Sequence, residues 1–519
     1  MDIEALVARY AVPFTALPGM APVCTADVGA QDWLHIASII RAEGGRLLSL
    51  WGTDKRPLAD QWIMSAAYCV AEGVLWLRLV VSEQDGYPDL SGVFPGALRM
   101  QRAAFDLLGL RANGADDLRP WIQHGRWPKD YFPLRQPFSG QEQFNSPLEN
   151  YAFVTVAGDG VHEIAVGPIH AGIIEPGHFR FSVVGEKVLR LEQRLGYTHK
   201  GVDKLFTQRQ LANGYQLAGR ISGDSTVAFA WAYCMAAEAA TACQIPPRAQ
   251  WLRALLLERE RIANHLGDLG AIGNDAGFVL GQAQFTMLKE EWVRLNAQLF
   301  GHRFMMDRII PGGTAMDLDA DGVNLIMAQC EYIETKVQAL RLIYEEHAGL
   351  QDRFISSGRV LPKLAAELGL CGLAGRASGQ AWDLRSSDHA IAPYTALNLR
   401  MATHRDGDVA ARVYVRFEEI IESLRLLREM LRQLPYGAVT AALPEPVTDG
   451  VGAGWVEGWR GAVFVALEHD AQGNILRCHC HDPSWQNWPV LEHAIMGNIV
   501  PDFPLINKSF NLSYSGHDL

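Results

Sequence analysis

The side chains best suited to proton chemistry fall before and after a long stretch with helical spacing. Glu175 and His178 lie in a Pro/Gly loop, His199 lies in a turn that enters a helix, and Asp275 ends a helical segment. Carboxylates and imidazoles of this kind exchange protons near neutral pH when burial shifts their pKa values. Taken singly, each is more often a helix cap or an ion-pair partner, so only their convergence in space would give them a catalytic role.

Four possible metal ligands stand in a row at Cys478-His479-Cys480-His481. Adjacent residues of a strand point to opposite faces, so these four side chains cannot close around one ion. Cysteines on the inward face of a strand behave as small apolar residues. The pattern therefore predicts a half-buried strand without a metal. Residues 452–458 resemble a dinucleotide-binding loop, but a strand-like sequence follows where a helix is required.

The composition excludes several classes of protein. The 519 residues carry a net charge of −12 and have a pI of about 5.7, which argues against a nucleic-acid partner. Eight cysteines are too few for a secreted disulfide scaffold and are expected to be free thiols. The start of the chain lacks the basic and apolar regions of a signal peptide. Glu238 interrupts the most apolar segment, residues 227–245, which predicts a buried helix and not a membrane span.

The elements that would hold the candidate residues follow from hydrophobic periodicity. We expect a helix over residues 32–41 and strands over residues 73–81, 151–156, 163–166 and 179–184. Long amphipathic helices are predicted over residues 248–269, 318–347 and 409–434, followed by a strand pair over residues 461–467 and 475–481.

These elements predict an α+β fold in two parts. A small α/β domain, residues 1–145, ends in an extended arm that is rich in proline. Residues 146–519 form a helical bundle with small peripheral sheets. At about 150 residues per domain, a chain of this length is expected to hold two to four domains, and two parts agree with that range.

Several ordered motifs make the chain similar to one family. The segment LRALLLERERIANHLGDLGAIGNDAGF resembles the large subunits of membrane-bound, energy-converting (group 4) nickel–iron hydrogenases, including those of formate hydrogenlyase, and more distantly the quinone-site subunit of respiratory complex I. GPIHAGIIEPGHFRF, YTHKGVDKL, GHRFMMDRIIPGG and DPSWQNWP extend the resemblance. YPDLSGVFPGALRMQRAAFDLLGL and YFPLRQPF resemble the small 30 kDa-type complex I subunit, fused in front of a 49 kDa-type domain.

The resemblance implies four nickel-binding cysteines, and none of them is present. Ser222 and Ser225 stand in place of the first CxxC pair, and Ser513 and Gly516 in place of the second. A nickel–iron centre needs soft thiolate ligands, whereas a serine hydroxyl is hard and stays protonated. We therefore expect that this chain holds no nickel–iron centre and binds no cofactor itself.

The quinone-site subunit of complex I has three residues that contact the quinone headgroup, and the resemblance places two of them in this chain. The family's histidine falls on His199 and its aspartate on Asp275, whereas its tyrosine falls on Gly223. The resemblance implies that His199, Asp275, Glu175 and His178 line a polar cavity where the cluster would otherwise sit. Quinone is a possible ligand of that cavity.

Two functions remain open from the sequence. In the first, the chain is a peripheral-arm core subunit of a prokaryotic complex on the cytoplasmic side of the inner membrane. Its partners would be iron–sulfur subunits that hold the clusters, antiporter-like membrane subunits, and a membrane subunit of the complex I H type. Electron transfer would be coupled to ion translocation. In the second, the chain is a catalytically inert scaffold of the same complex. An active hydrogenase is the least favoured interpretation because its cysteines are missing.

Overall fold

The protein is described by a computed structural model that covers residues 2–145, 150–170 and 174–519. Its strands are β1 Thr15–Ala16, β2 Val23–Val28, β3 Arg46–Asp54, β4 Trp62–Val70, β5 Gly73–Val81, β6 Tyr87–Pro88, β7 Ala112–Asn113, β8 Val161–Val166, β9 His178–Val184, β10 Lys187–Arg194, β11 Ile309–Ile310, β12 Gly313–Thr314, β13 Gly450–Glu457, β14 Ala462–His469 and β15 Ile475–His481. Its helices are α1 Ile3–Tyr10, α2 Ala30–Ala42, α3 Arg56–Ala59, α4 Ala97–Leu108, α5 Val202–Phe206, α6 Gly214–Ala218, α7 Thr226–Ala240, α8 Pro247–Asp275, α9 Val279–Phe300, α10 Ala320–Glu346, α11 Ala348–Phe354, α12 Pro362–Leu368, α13 Gly372–Ala377, α14 Tyr394–Leu397, α15 Val409–Gln433, α16 Ser484–Ala494, α17 Phe503–Phe510 and α18 Tyr514–Asp518.

The N-terminal part is built on a five-stranded sheet in the order β1-β2-β5-β4-β3. Strands β2 and β5 run parallel, and the other neighbours are antiparallel. The spacing of Trp33, Ile36 and Ile40 buries one face of α2, as the periodicity predicted. The predicted domain boundary at residues 145/146 falls beside residues 146–149, which lie outside the described residues, and it stays a prediction.

The C-terminal part confirms the predicted α+β class, because long helices pack beside small sheets. Helices α10 and α15 have nearly the bounds that the periodicity gave, whereas α8 continues six residues beyond its predicted end at residue 269. Asp408 caps α15 by accepting a 2.9 Å hydrogen bond from the Ala411 amide, and the helix ends two residues before Pro435. None of the helices within the described ranges is both long and apolar enough to cross a membrane.

The strand predicted over residues 151–156 is wrong. This segment belongs to no sheet, and its backbone is satisfied by side chains instead. Glu192 accepts a 2.8 Å hydrogen bond from the Val154 amide, and Arg119 donates one of 2.7 Å to the Ala152 carbonyl. Side-chain partners of this kind replace the ladder that a strand would need.

The glycines of residues 452–458 bring a strand and a helix into close contact. The segment is largely strand β13, and Gly452 and Gly454 lie directly against the backbone of α7. A Cβ atom at either glycine would overlap a carbonyl oxygen of α7, Ala236 or Ala232 respectively. The resemblance to a dinucleotide loop thus comes from the packing of an alanine-rich helix on a sheet.

The prediction of a half-buried strand at 478–481 is wrong in one respect, since both faces of β15 are buried. Cys478 and Cys480 face the core with their Sγ atoms 3.8 Å apart. On the other face, His479 donates or accepts a 2.7 Å hydrogen bond with Ser49 of β3 and stacks on Trp51. The N-terminal sheet therefore covers the polar face of this strand, which the alternation alone did not show.

Burial at this interface makes stability depend on pH. Burial lowers the pKa of His481 to about 3, below the ordinary value of about 6.5, so the folded state keeps this imidazole neutral while the unfolded state protonates it. We expect the free energy of unfolding to fall as the pH drops from about 6.5 towards 3. The contribution of His481 to this loss is several kcal/mol, because one pKa unit corresponds to about 1.4 kcal/mol. Denaturant titrations between pH 4 and 7 should show a shallower slope for His481→Leu. An unchanged slope would contradict the assignment.

Candidate functional site

The four positions that the family resemblance assigns to nickel-binding cysteines converge at one place. Ser222 and Ser225 lie in the turn before α7, and Ser513 precedes α18. The hydroxyl oxygens of Ser222 and Ser513 are 3.0 Å apart, and Ser513 also caps α18 by accepting a 2.9 Å bond from the Gly516 amide. We call Ser222, Ser225 and Ser513 the serine cluster.

An ion pair between buried Arg460 and partly exposed Asp224 stands beside the serine cluster. Arg460 donates hydrogen bonds of 2.7 and 2.6 Å to the two carboxylate oxygens of Asp224. It also donates to Ser225 at 3.2 Å and to the Asn511 carbonyl at 2.6 Å. Burial acts to raise the pKa of Asp224, but the charge of Arg460 outweighs it and lowers the pKa to about 2. The cluster is therefore held by a fixed charge pair.

Gly516 has no room for a side chain. A Cβ atom at this position would overlap the carboxylate of Asp482 and lie 2.8 Å from the Ser513 hydroxyl oxygen. Burial raises the pKa of Asp482, which is 1% exposed. The fourth ligand position is thus closed by a neighbouring acid.

Glu175 contacts the helix that Ser513 caps, whereas the described contacts of His178 lie elsewhere. The Glu175 carboxylate accepts a 3.0 Å hydrogen bond from the Ser515 amide in the first turn of α18. His178 is buried in β9, where its Nδ1 is 3.1 Å from the Gly167 carbonyl and its ring packs against Phe153. Its described contacts all lie within this small sheet region, so its expected place beside His199 has no hydrogen bond to support it.

His199 is held by the end of the chain. Its Nδ1 donates a 2.8 Å hydrogen bond to the Asp518 carbonyl, which fixes the tautomer and leaves Nε2 as the acceptor. Burial lowers the pKa of His199, so the ring is neutral at pH 7. The neighbouring Lys200 donates a 2.9 Å bond to the Ile221 carbonyl, directly before Ser222. The His199 turn and the serine cluster therefore belong to one site.

Asp275 is not the partner of His199 in the described structure. It is the last residue of α8, and burial raises its pKa while nearby Lys508 lowers it. Neither a hydrogen bond nor an ion pair joins it to His199 among the described residues. The expectation that these two side chains lie together came from the resemblance alone.

Asp518 is the residue of this site that the sequence did not reveal. Its carboxylate accepts hydrogen bonds from the amides of Gly196 and Thr198 at 2.9 and 3.0 Å, and from the Thr198 hydroxyl at 2.7 Å. Arg460 and Asp482 were also missed, although Asp482 opens the quoted segment DPSWQNWP. Their roles depend on contacts between residues that are far apart in the sequence, 34 positions for Asp482 and Gly516 and more than 200 for the contacts of Asp518 with the His199 turn and of Arg460 with Asp224, and no local pattern signals such contacts. Among the described residues, no group of three or more His, Cys, Asp or Glu side chains is placed to hold a metal ion.

The fold and this site define a complex I-like large subunit with a smaller domain fused in front of it. Residues 26–144 match the model of the respiratory-chain NADH dehydrogenase 30 kDa subunit, and residues 275–449 match that of the 49 kDa subunit. The chain belongs to the family of hydrogenase and NADH-quinone oxidoreductase large subunits that includes formate hydrogenlyase subunit 5 of Escherichia coli. It is 30% identical to that protein over 486 residues, which cover 92% of this chain and 85% of the relative.

Two further relatives support this assignment. An NADH-quinone oxidoreductase subunit of Phocaeicola vulgatus is 25% identical over 417 residues, which cover 76% of this chain and 79% of the relative. A chain from the solved structure of an archaeal membrane-bound sulfane sulfur reductase superposes with a TM-score of 0.66 at 26% identity. That chain is covered completely, and 70% of this chain is covered. The family resemblance inferred from the sequence is thereby confirmed.

We predict that Asp518→Asn loosens the His199 turn. An amide nitrogen in place of one carboxylate oxygen would face the amide donors of Gly196 and Thr198, and an unmet buried donor costs about 1–3 kcal/mol. Hydrogen–deuterium exchange of residues 196–201 should become faster. Asp502→Asn is the matched control, since Asp502 pairs with Arg353 at 3.5 Å and does not touch the turn. Equal protection of the turn in both variants would show that Asp518 does not position it.

Proposed function

We propose that this chain is the peripheral-arm core subunit of a membrane-bound, complex I-like oxidoreductase that works without a nickel–iron centre. Electrons would come from clusters in an adjacent iron–sulfur subunit, and antiporter-like and H-type membrane subunits would translocate the ion. The complex would sit on the cytoplasmic side of the inner membrane. The observation that carries the proposal is the convergence of the four positions, three with a hydroxyl group and one with a glycine in place of a thiolate.

The residues present do not fit a nickel–iron centre. Three hydroxyl groups and a glycine replace four thiolates, and hydroxyl oxygen is a poor ligand for a soft metal site. The Asp482 carboxylate closes the fourth position, and the Arg460–Asp224 pair occupies the space next to two of the others. We therefore derive no hydrogen chemistry for this site.

His199 is the group of this site that we expect to exchange protons with a reduced or oxidised ligand. It is half-buried and neutral, and its Nε2 is free of the Asp518 contact. Tyr514 accepts a 3.4 Å bond from Asn507 and keeps its own hydroxyl hydrogen for donation, so it is the phenol that we propose in place of the missing tyrosine. A quinone headgroup is the ligand class that an acceptor imidazole and a donor phenol would suit.

The inert scaffold remains the second candidate, and a specific observation favours it. Ser222, Ser513 and Glu175 all have hydrogen-bond partners within the chain, so these side chains need no ligand to be satisfied. The variants below separate the two candidates.

Metal analysis tests the absence of nickel. We predict that the purified complex contains no stoichiometric nickel in this chain. We also predict that the quadruple variant with Ser222→Cys, Ser225→Cys, Ser513→Cys and Gly516→Cys does not bind nickel. The cysteine side chain at position 516 would meet Asp482. The measurement is elemental mass spectrometry of the intact complex. One nickel per wild-type chain would overturn the proposal.

His199→Gln tests the role in turnover. Glutamine keeps a donor for the Asp518 carbonyl but cannot titrate, so we expect the redox rate of the intact complex to fall by about 100-fold or more. His162→Gln is the control, because His162 is exposed on β8. Redox-linked ion uptake by membrane vesicles is the measurement. An unchanged rate in a fully assembled complex would favour the scaffold.

A further inference from the structure

A cavity lies between the N-terminal sheet and the C-terminal part of the chain. Its apolar wall comes from β3 and α4, and its polar wall from β15, the His199 turn and the C-terminal residues. About 40 Å³ of the cavity is open to the centres of water molecules. This volume has room for about three water molecules, at about 10–15 Å³ each.

Three side chains of the wall carry a buried nitrogen without a hydrogen-bond partner in the described part of the chain. They are Trp51 Nε1, His481 Nδ1 and Trp485 Nε1. Their residues are 2%, 1% and 5% exposed. Buried polar atoms are rarely left unpaired, and those that are usually bind an ordered water.

The chemistry of these three nitrogens identifies the occupant. His481 Nε2 must donate its 2.9 Å hydrogen bond to the Gln486 side-chain oxygen, so Nδ1 is an acceptor that needs a donor. The two indole nitrogens are donors that need an acceptor. A metal cation would leave the donors unmet, and an anion would leave the acceptor unmet. Water is both donor and acceptor, and it fits the volume.

Ser49 adds a further donor to the same wall. Arg477 lies 3.5 Å from His479 Nδ1 and can only donate, so His479 donates from Nε2 to the Ser49 oxygen at 2.7 Å. The Ser49 hydroxyl hydrogen is then available to a water in the cavity. Arg477 pairs with the Asp203 carboxylate at 3.0 Å, so this acid of the wall has a charged partner.

We propose that this interdomain cavity is a binding site for a cluster of about three ordered water molecules. The waters bind Trp51, His481 and Trp485, and they bridge the fused domain to β15. Because His199 also lines the cavity, the cluster extends from the domain interface to the proposed site. Only this last step rests on the proposed function.

The test is a density map of the intact complex at a resolution that shows ordered water. We expect water peaks within hydrogen-bond distance of the three nitrogens and no xenon peak in the cavity of a xenon-treated crystal. A xenon peak without water would show a dry cavity and overturn the proposal. Density for a larger bound molecule would overturn it as well.

A pair of variants on α4 gives the matched control. Ala104 lines the cavity and Ala97 does not, although both are buried on the same helix. Ala104→Val should remove at least one water peak, and Ala97→Val should retain them all. Unchanged peaks in the Ala104→Val map would overturn the placement. If a variant fails to fold, the density map of the wild-type complex still tests the proposal. Nickel bound at the serine cluster would contradict the proposed function, but it would not change the test of the water cluster.

Discussion

The neutralisation of Arg460 is the constraint on which the site depends. A buried guanidinium without a partner would be strongly destabilising, and Asp224 supplies the charge that satisfies it. Arg460 also bonds Ser225 and the Asn511 carbonyl. It therefore joins the turn before α7, the β13–β14 connection and the segment before α18. The first and the last of these segments carry Ser222, Ser225 and Ser513, so one ion pair holds the serine cluster in place.

A larger set of buried charged side chains joins helices α8, α13 and α15 to strand β13. Glu258 of α8 accepts from Arg385, Tyr394 and Ser423, and Arg376 pairs with both Glu419 and Glu457. Buried pairs of this kind add little net stability over apolar packing, but removing one partner leaves an uncompensated charge. They bind α8, α13, α15 and β13 in one arrangement.

The fused domain has a structural part in this arrangement. It covers the polar face of β15 and closes the cavity that His199 lines. Asp518 meanwhile ties the His199 turn to the end of the chain through backbone amides. The candidate proton-exchanging group is therefore held between two regions that are far apart in sequence. Coupling between the domain interface and the site would pass through these contacts.

The sequence by itself determined the α+β class, the bounds of helices such as α10 and α15, and the family. These follow from hydrophobic periodicity, caps and ordered motifs, all of which are local. It also indicated, through the resemblance, that serines and a glycine stand at the four cysteine positions. Only the tertiary structure decided that Asp482 closes the Gly516 position, that Asp518 accepts the hydrogen bond of His199, and that β15 is buried on both faces. Each of these depends on a partner distant along the chain or on a neighbouring layer. Periodicity reports only which face of an element is apolar, not what comes to cover the other face.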